Sequence, residues 1–458
     1  MQAYAQPKSD TGYGADACQG RCDAAARSRA SVAQRQAVQM KQARTCAFSG
    51  SQLARMKKQV LIAGGGIAGM AAALGATHAG WDARVFERAA AFSEVGAGVQ
   101  LGPNVVRRLQ AWGLHQAVQQ VAALPQQLVA RSALSGQVLA SAPLGQSMVE
   151  RYGAAYVTIH RADLHSLLYN AAKDRAGVYI NPGQEVLEIL GTERVTTIRT
   201  TAHKVVEGDA LMLADGVWSK LRGPVLGDSS RPRVSGHLAY RALLPMTDIP
   251  VGWRSNEVTV WLGPGMHAVH YPVRRGEMMN IVVIIEGPSP DNLEHWDHAA
   301  NAQVLEQALR HCSSNLQDLI RSVPAAGMQW RLWPLSDRAP IQGPEAMARG
   351  LVGLIGDAAH PMRPYLAQGA GMAIEDAAEL QRALAMDDLD VELRLRRYAL
   401  NRWERNARVQ ARSIRNGRIF HATGLVRWGR DMSMRMLGGK LMDVPWLYSG
   451  EGSSASIL

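Results

Sequence analysis

Gly64, Gly66 and Gly69 stand in GxGxxG register within VLIAGGGIAGM, and Glu87 follows 18 residues after Gly69. Glycine lets a backbone turn sharply and approach a pyrophosphate, whose charge meets the free N–H groups at a helix start. An acidic side chain at that distance accepts ribose hydroxyls. This set can hold the ADP half of a dinucleotide, with Ala68 on the same turn and Arg88 beside the acid as further candidate contacts. NAD and FAD share that half, so the fingerprint alone does not choose between them. Two later segments bear on the choice. DALMLADGVWSKLR (Asp209–Arg222) and LVGLIGDAAHP (Leu351–Pro361) are apolar strands that deliver Asp215-Gly216 and Gly356-Asp357. HRADL (His160–Leu164) is a further segment of the same set, with Arg161 near its start.

The elements that must position these residues follow from the pattern. Val60–Ala63 reads as a strand, Gly69–Ala79 as an Ala-rich helix stopped by Gly80, and Ala83–Glu87 as a second strand, a βαβ opening. Tyr156–His160 and Val178–Ile180 read as strands around a helix starting near Arg161, and Asp209–Ala214 as another buried strand. From about Val234 to Trp333 alternation in Glu257–Leu262, His267–Val273 and Asn280–Ile285 predicts an antiparallel sheet in a second domain. Leu351–Ile355 and a helix over Ala370–Leu384 return to the first domain. Residues 391 to 449 read as Arg-rich helices, with Arg405, Arg408, Arg412 and Arg415 on a solvated face rather than a nucleic-acid surface.

Composition sets the outer bounds. With 458 residues, 47% apolar and 19% charged, the chain can bury at least one large core and is expected to be multidomain. Of the net charge of +11, residues 1–55 carry +5, from eight Lys/Arg against three Asp. That Ala-, Gln-, Ser- and Arg-rich stretch lacks the apolar core of a secretory signal and is expected to be disordered or dispensable. It holds Cys18, Cys22 and Cys46, with no partners at zinc-site spacing, and only Cys312 lies in the body of the chain. No metal site, no nucleic-acid partner and a reducing, cytoplasmic setting are expected. The uncharged run Gln59–Gly80 is broken by Gly64-Gly65-Gly66, as at a strand-to-helix turn, so no transmembrane segment is expected.

The four ordered motifs, from about Lys57 to the C-terminal region, resemble those of the class A flavoprotein aromatic monooxygenases of the salicylate and hydroxybenzoate hydroxylase type. The resemblance implies an α/β fold: an FAD-binding Rossmann-like domain, an inserted antiparallel-sheet substrate domain and C-terminal helices. The expected boundaries are an extension at 1–55, an FAD domain at 56–120, 155–233 and 336–390, a substrate domain at 121–154 and 234–335, and a helical region at 391–458. It further implies that Gly64, Gly66 and Gly69 cradle the FAD pyrophosphate, Glu87 holds the ribose, Arg161 contacts the phosphate region and Asp357 binds the ribityl chain. Asp215 has a less specific part in FAD and nicotinamide binding. VGAGVQLGPN (Val95–Asn104), with Gly98 and Val99, resembles the family's mobile segment beside the flavin, and Gly369 and Ala370 in PYLAQGAGMAIEDA would offer N–H groups to the ring.

The implied reaction uses NADH or NADPH and O2, through a flavin hydroperoxide, to hydroxylate a small, salicylate- or hydroxybenzoate-like ring. The protein must then exclude water, align the ring and favour its phenolate. Tyr240, Tyr365 and His237 are the leading catalytic candidates, with His267, His270 and Tyr271 behind them. Tyr240 matches a position held by a catalytic His in some similar hydroxylases, and Leu244 replaces the Tyr that accompanies it. His267 and His270 would face opposite sides of a strand. Arg241 is a candidate for a substrate carboxylate or a structural ion pair, and His360 reads as structural. The alternatives are a related flavoprotein oxidising a larger non-aromatic or polyketide-like substrate, and a non-catalytic flavin-binding regulator. A monomer or homodimer is expected.

Overall fold

The computed structural model describes residues 57–92, 97–228, 230–288, 290, 293, 298–299 and 302–450. The extension at 1–55 and Val95 and Gly96 of the glycine segment lie outside the described residues. Val60, Leu61 and Ile62 are wholly buried, which is why a short uninterrupted apolar run here makes a central strand. Gln59–Ala63 pairs in parallel with Ala210–Leu213 on one side and Asp82–Glu87 on the other. Val178–Pro182 and Val352–Leu354 extend the sheet in parallel, and Ala348–Arg349 closes it antiparallel. The first crossover helix, Ile67–His78, packs against helices Arg161–Lys173 and Gly369–Leu384, and its Ala and Gly side chains are small enough for burial nearly all round.

The second sheet has eight strands in the order His298–Ala299, Arg331–Asp337, Arg233–Pro245, Met278–Glu286, Met266–Val273, Glu257–Gly263, Gln127–Ser132, Val138–Pro143. The sequence pattern predicts an antiparallel sheet, and one junction differs: Glu257–Gly263 runs parallel to Gln127–Ser132. Strands joined by a tight turn must be antiparallel, whereas these two are far apart in sequence and free of that constraint. A three-stranded antiparallel sheet, Val186–Gly191, Thr196–Thr200 and Val205–Gly208, has no counterpart in the sequence reading.

The C-terminal region forms helices Val391–Phe420, Gly424–Leu437 and Pro445–Tyr448. The longest starts at Asp390, whose side chain accepts the Leu393 N–H at 2.8 Å. Of the arginines expected on a solvated face, Arg408 and Arg415 are exposed, whereas Arg405 turns inward, as does Arg402. Arg402 is fully buried and donates to Asp376 Oδ1 at 2.8 Å and to Glu375 Oε2 at 2.9 Å. Arg405 reaches both oxygens of Glu375, at 2.6 and 2.8 Å. The buried acids of helix Gly369–Leu384 need cations, and this helix supplies them. Burial pushes the Glu375 carboxyl up, but Arg402 and Arg405 outweigh it and hold its pKa down at about 2. His360 belongs to the same cluster, its Nε2 lying 2.6 Å from Asp376 Oδ2. Among the described residues no helix is long and apolar enough to cross a membrane.

Candidate active site

A cavity of about 430 Å³ is lined by the C-terminal ends of the parallel strands and by one face of the eight-stranded sheet. At its dinucleotide end the chain passes from Gln59–Ala63 into helix Ile67–His78 through Gly64, at φ +108°, where a Cβ would lie 2.4 Å from the Ala214 carbonyl oxygen. A Cβ on Gly69 would lie 1.9 Å from the Gly64 oxygen, so Gly69 closes the turn from behind and does not itself line the cavity. Gly66, Ala68, Glu87 and Arg88 do line it. The helix has no side-chain cap at Gly66 and no acid in its first turn, which leaves its N–H groups for a ligand. Glu87 is held in place by N–H groups from Gly65 and Ala89, each at 2.8 Å, leaving further lone pairs for hydroxyl donors.

Asp215, Arg161 and Asp357 also line the cavity. Burial raises the pKa of Asp215 to about 6 against the opposing Ser219 hydroxyl, and its Oδ1 has no hydrogen-bond partner among the described residues. Burial also raises Asp357 and lowers Arg161, while each favours the other's charged form. Helix Gly369–Leu384 opens onto the cavity at Gly369 and Ala370, again with no side-chain cap and no acid in its first turn. Two uncapped helix starts, an orphaned carboxylate oxygen and an acid at ribose distance fit a dinucleotide with a pyrophosphate and polyol.

Gly98 and Val99 line the same cavity. The Gly98 N–H donates to Asn280 Oδ1 at 2.7 Å, and a Cβ there would lie 2.6 Å from the Tyr271 ring, so only glycine lets strand Gly98–Leu101 lie so close to the second sheet.

The sheet face contributes Ala239, Arg241, His267, Val269, Tyr271 and Trp333. Tyr240, expected at the site, does not line the cavity: it points through the sheet into a core with Trp261, Val283 and Leu305. The cause is strand parity, since neighbours on a strand face opposite ways. His270 turns the same way and is buried beside Trp253 and Trp261, while His267 faces the cavity. His237 and Tyr365 lie one layer behind His267, with His237 Nδ1 bonded to the Tyr365 hydroxyl and the His267 and Tyr365 rings 5.0 Å apart.

Arg241 makes no ion pair with a described residue. Its guanidinium lies 3.6 Å over the Trp333 ring, and its Nε has no hydrogen-bond partner among the described residues. Burial first, and Arg161 second, lower its pKa to about 9, which still leaves it a cation at neutral pH. His237, Glu286 and His421 lie near enough to share an ion. However, the His237 and His421 rings stack 4.8 Å apart and 11° from parallel, and imidazole lone pairs lie in the ring plane, so the two cannot converge on one metal. His421, which follows the long helix, carried no motif in the sequence.

A family profile described as an FAD binding domain matches residues 57–413. The 3-hydroxybenzoate 6-hydroxylase of Polaromonas naphthalenivorans (strain CJ2) is 36% identical over 375 residues, covering 81% of this chain and 90% of that protein. The 6-hydroxynicotinate 3-monooxygenase of Pseudomonas fluorescens is 32% identical, covering 84% and 96%. Among solved structures, Klebsiella pneumoniae HpxO complexed with FAD and uric acid has a TM-score of 0.73 at 22% identity, covering 84% of this chain and 94% of that one. A salicylate hydroxylase substrate complex has a TM-score of 0.70 at 22% identity, covering 88% and 100%. At that identity the structural likeness concerns the fold.

Proposed function

The chain belongs to the class A flavoprotein aromatic monooxygenases, FAD-dependent enzymes that hydroxylate small aromatic rings, and from that premise we propose that its substrate is a phenol bearing a carboxylate, anchored by Arg241. The observation that carries this is a guanidinium deep in the protein, without a counter-ion among the described residues, facing the cavity from the sheet side. A buried cation of this kind is strongly destabilising unless a ligand pairs with it, and a carboxylate is the geometric match for its fork of donors.

The chemistry that bound FAD would supply is acceptance of a hydride from NAD(P)H and activation of O2 for transfer to the ring. The chain's own residues do the rest. The N–H groups after Gly66 would take the pyrophosphate, Glu87 the ribose, Asp357 the ribityl chain, and Asp215 an unpaired donor of the cofactor. Arg161 adds positive charge near the phosphates. The starts of helix Gly369–Leu384 and strand Gly98–Leu101 would hold the flavin ring, and Val269, Tyr271 and Trp333 would exclude water around the substrate. The enzyme is proposed to work in the cytoplasm, as a monomer or homodimer, where reduced nicotinamide is supplied.

The test is NAD(P)H oxidation, O2 uptake and product formation by the FAD-loaded protein with hydroxybenzoates and with matching phenols that lack the carboxylate. Carboxylated rings should win by roughly 100-fold in kcat/KM, the worth of a buried charge-assisted pair. Equal turnover of both sets removes the anchor. No stimulation by any ring, with flavin bound and reducible, points to the larger-substrate alternative.

A further inference from the structure

A chain of hydrogen-bonding side chains runs from the cavity wall to the protein surface. His267 lines the cavity, and its Nδ1 lies 2.8 Å from Nε2 of His421. His421 Nδ1 lies 3.3 Å from Glu286 Oε1. The His421 side chain is 4% exposed and that of Glu286 58%, so the chain begins in the cavity and ends in solvent. From this geometry we infer that His267, His421 and Glu286 are a proton path through which the ring hydroxyl of the bound substrate exchanges its proton with solvent while the cavity stays closed to water. This rests on the reading that the substrate is a phenol.

The contacts fix the direction of each hydrogen bond. Facing a carboxylate, His421 Nδ1 must carry a proton, so in the neutral ring Nε2 is an acceptor and His267 Nδ1 must donate to it. That leaves the lone pair of His267 on Nε2, the nitrogen with no partner among the described residues, for the cavity. Burial together with neighbouring charges keeps both rings neutral: His421 is lowered to about 4 by burial, Arg363 and Arg430, and His267 well below its ordinary value by burial, His421 and His237. The other groups around the path are Tyr365, bonded to His237, and Asp337, which with Glu286 acts on His237 in the opposite sense to Arg363.

The proton count balances. The phenol O–H gives its proton to His267 Nε2 as the Nδ1 proton of His267 passes to His421 Nε2. The Nδ1 proton of His421 passes to Glu286, which releases it to water. The ring becomes a nucleophilic phenolate, solvent gains one proton, and both imidazoles end in the opposite tautomer. Reprotonation of the product phenolate by the reverse sequence restores both tautomers. His267 is the group that touches substrate; His421 and Glu286 act through it.

Two measurements on the FAD-loaded full chain test the path. Nitrogen-15 NMR at pH 7 should find His267 and His421 both protonated at Nδ1 only, and an Nε2-protonated or doubly protonated His421 overturns the path whatever the substrate. Stopped-flow pH jumps then follow the colour of bound 3-hydroxy-4-nitrobenzoate as its phenol ionises. Glu286→Gln and His421→Phe should leave FAD content and probe affinity within about twofold but slow ionisation by about tenfold or more, with formate restoring the rate in Glu286→Gln. Unchanged rates in both variants overturn the path. Failure of the unmutated protein to bind this probe counts instead against the carboxylate anchor, and the tautomers still decide the path.

Discussion

Two groups of charges are buried in this molecule and are treated in opposite ways. Around helix Gly369–Leu384, Glu375 and Asp376 are met by Arg402, Arg405, His360, Asn104 and Asn406, so both carboxylates are fully engaged. Around the cavity, Arg241 has no counter-ion and Asp215 keeps an oxygen with no partner among the described residues. The first group holds two helices together; the second is the one we propose a ligand completes. A buried charge is thus a structural or a functional residue according to whether the protein itself supplies the partner.

Substituting the same residue type in each group should split them. Arg402→Met leaves two buried carboxylates short of a cation and should cost about 3–5 kcal/mol in urea unfolding; a loss under about 1 kcal/mol would mean that Arg405 and His360 alone carry the cluster. Arg241→Met removes a buried cation that lacks a counter-ion among the described residues, so the unliganded protein should keep or gain stability. The same variant should raise KM for a carboxylated ring by roughly 100-fold. An Arg241→Met protein that unfolds as readily as Arg402→Met would erase the distinction.

Asp215 sharpens the comparison through pH. Its pKa in the folded protein is raised from 3.8 to about 6, so the native state binds this proton more tightly than the unfolded chain. Its contribution to stability is therefore most favourable below pH 4 and declines as pH rises from about 4 to about 6, by on the order of 2 kcal/mol. The FAD-free Asp215→Asn protein should lack that decline in urea unfolding across this range. Glu375, held down at about 2, has the opposite sign: its stabilisation is present above about 4.5 and is lost as pH falls toward 2.

The same division decides what was legible in the sequence. The dinucleotide end depends on backbone geometry, and that is written locally: Gly64 must take a positive φ beneath the Ala214 carbonyl, and Asp215 and Asp357 stand at the ends of short apolar strands. The substrate end depends on which face of a strand a side chain takes and on partners distant in sequence. His421 meets His267 across 154 positions, and nothing near His421 announces it. The parallel junction in the second sheet escaped for the same reason, because its two strands are not joined by a turn.

Tyr240 gives the smallest expected effect and the cleanest check on strand parity. The sequence places it at a catalytic position, yet Ala239 and Arg241 face the cavity while Tyr240 packs into the sheet's other core. Tyr240 pairs with Val283 and Leu332 on its two neighbouring strands, so the register is fixed on both sides. A one-residue slip would exchange Tyr240 for Arg241 and bury an unpartnered guanidinium in an apolar core, a cost of several kcal/mol that the sheet cannot recover. Tyr240→Phe should therefore leave kcat/KM and the ratio of product formed to NAD(P)H consumed within about twofold, a change of under 0.5 kcal/mol. A fall of tenfold or more in that coupling ratio would mean that the tyrosine hydroxyl reaches the substrate, and with it the assignment of Arg241 as the anchor would fail.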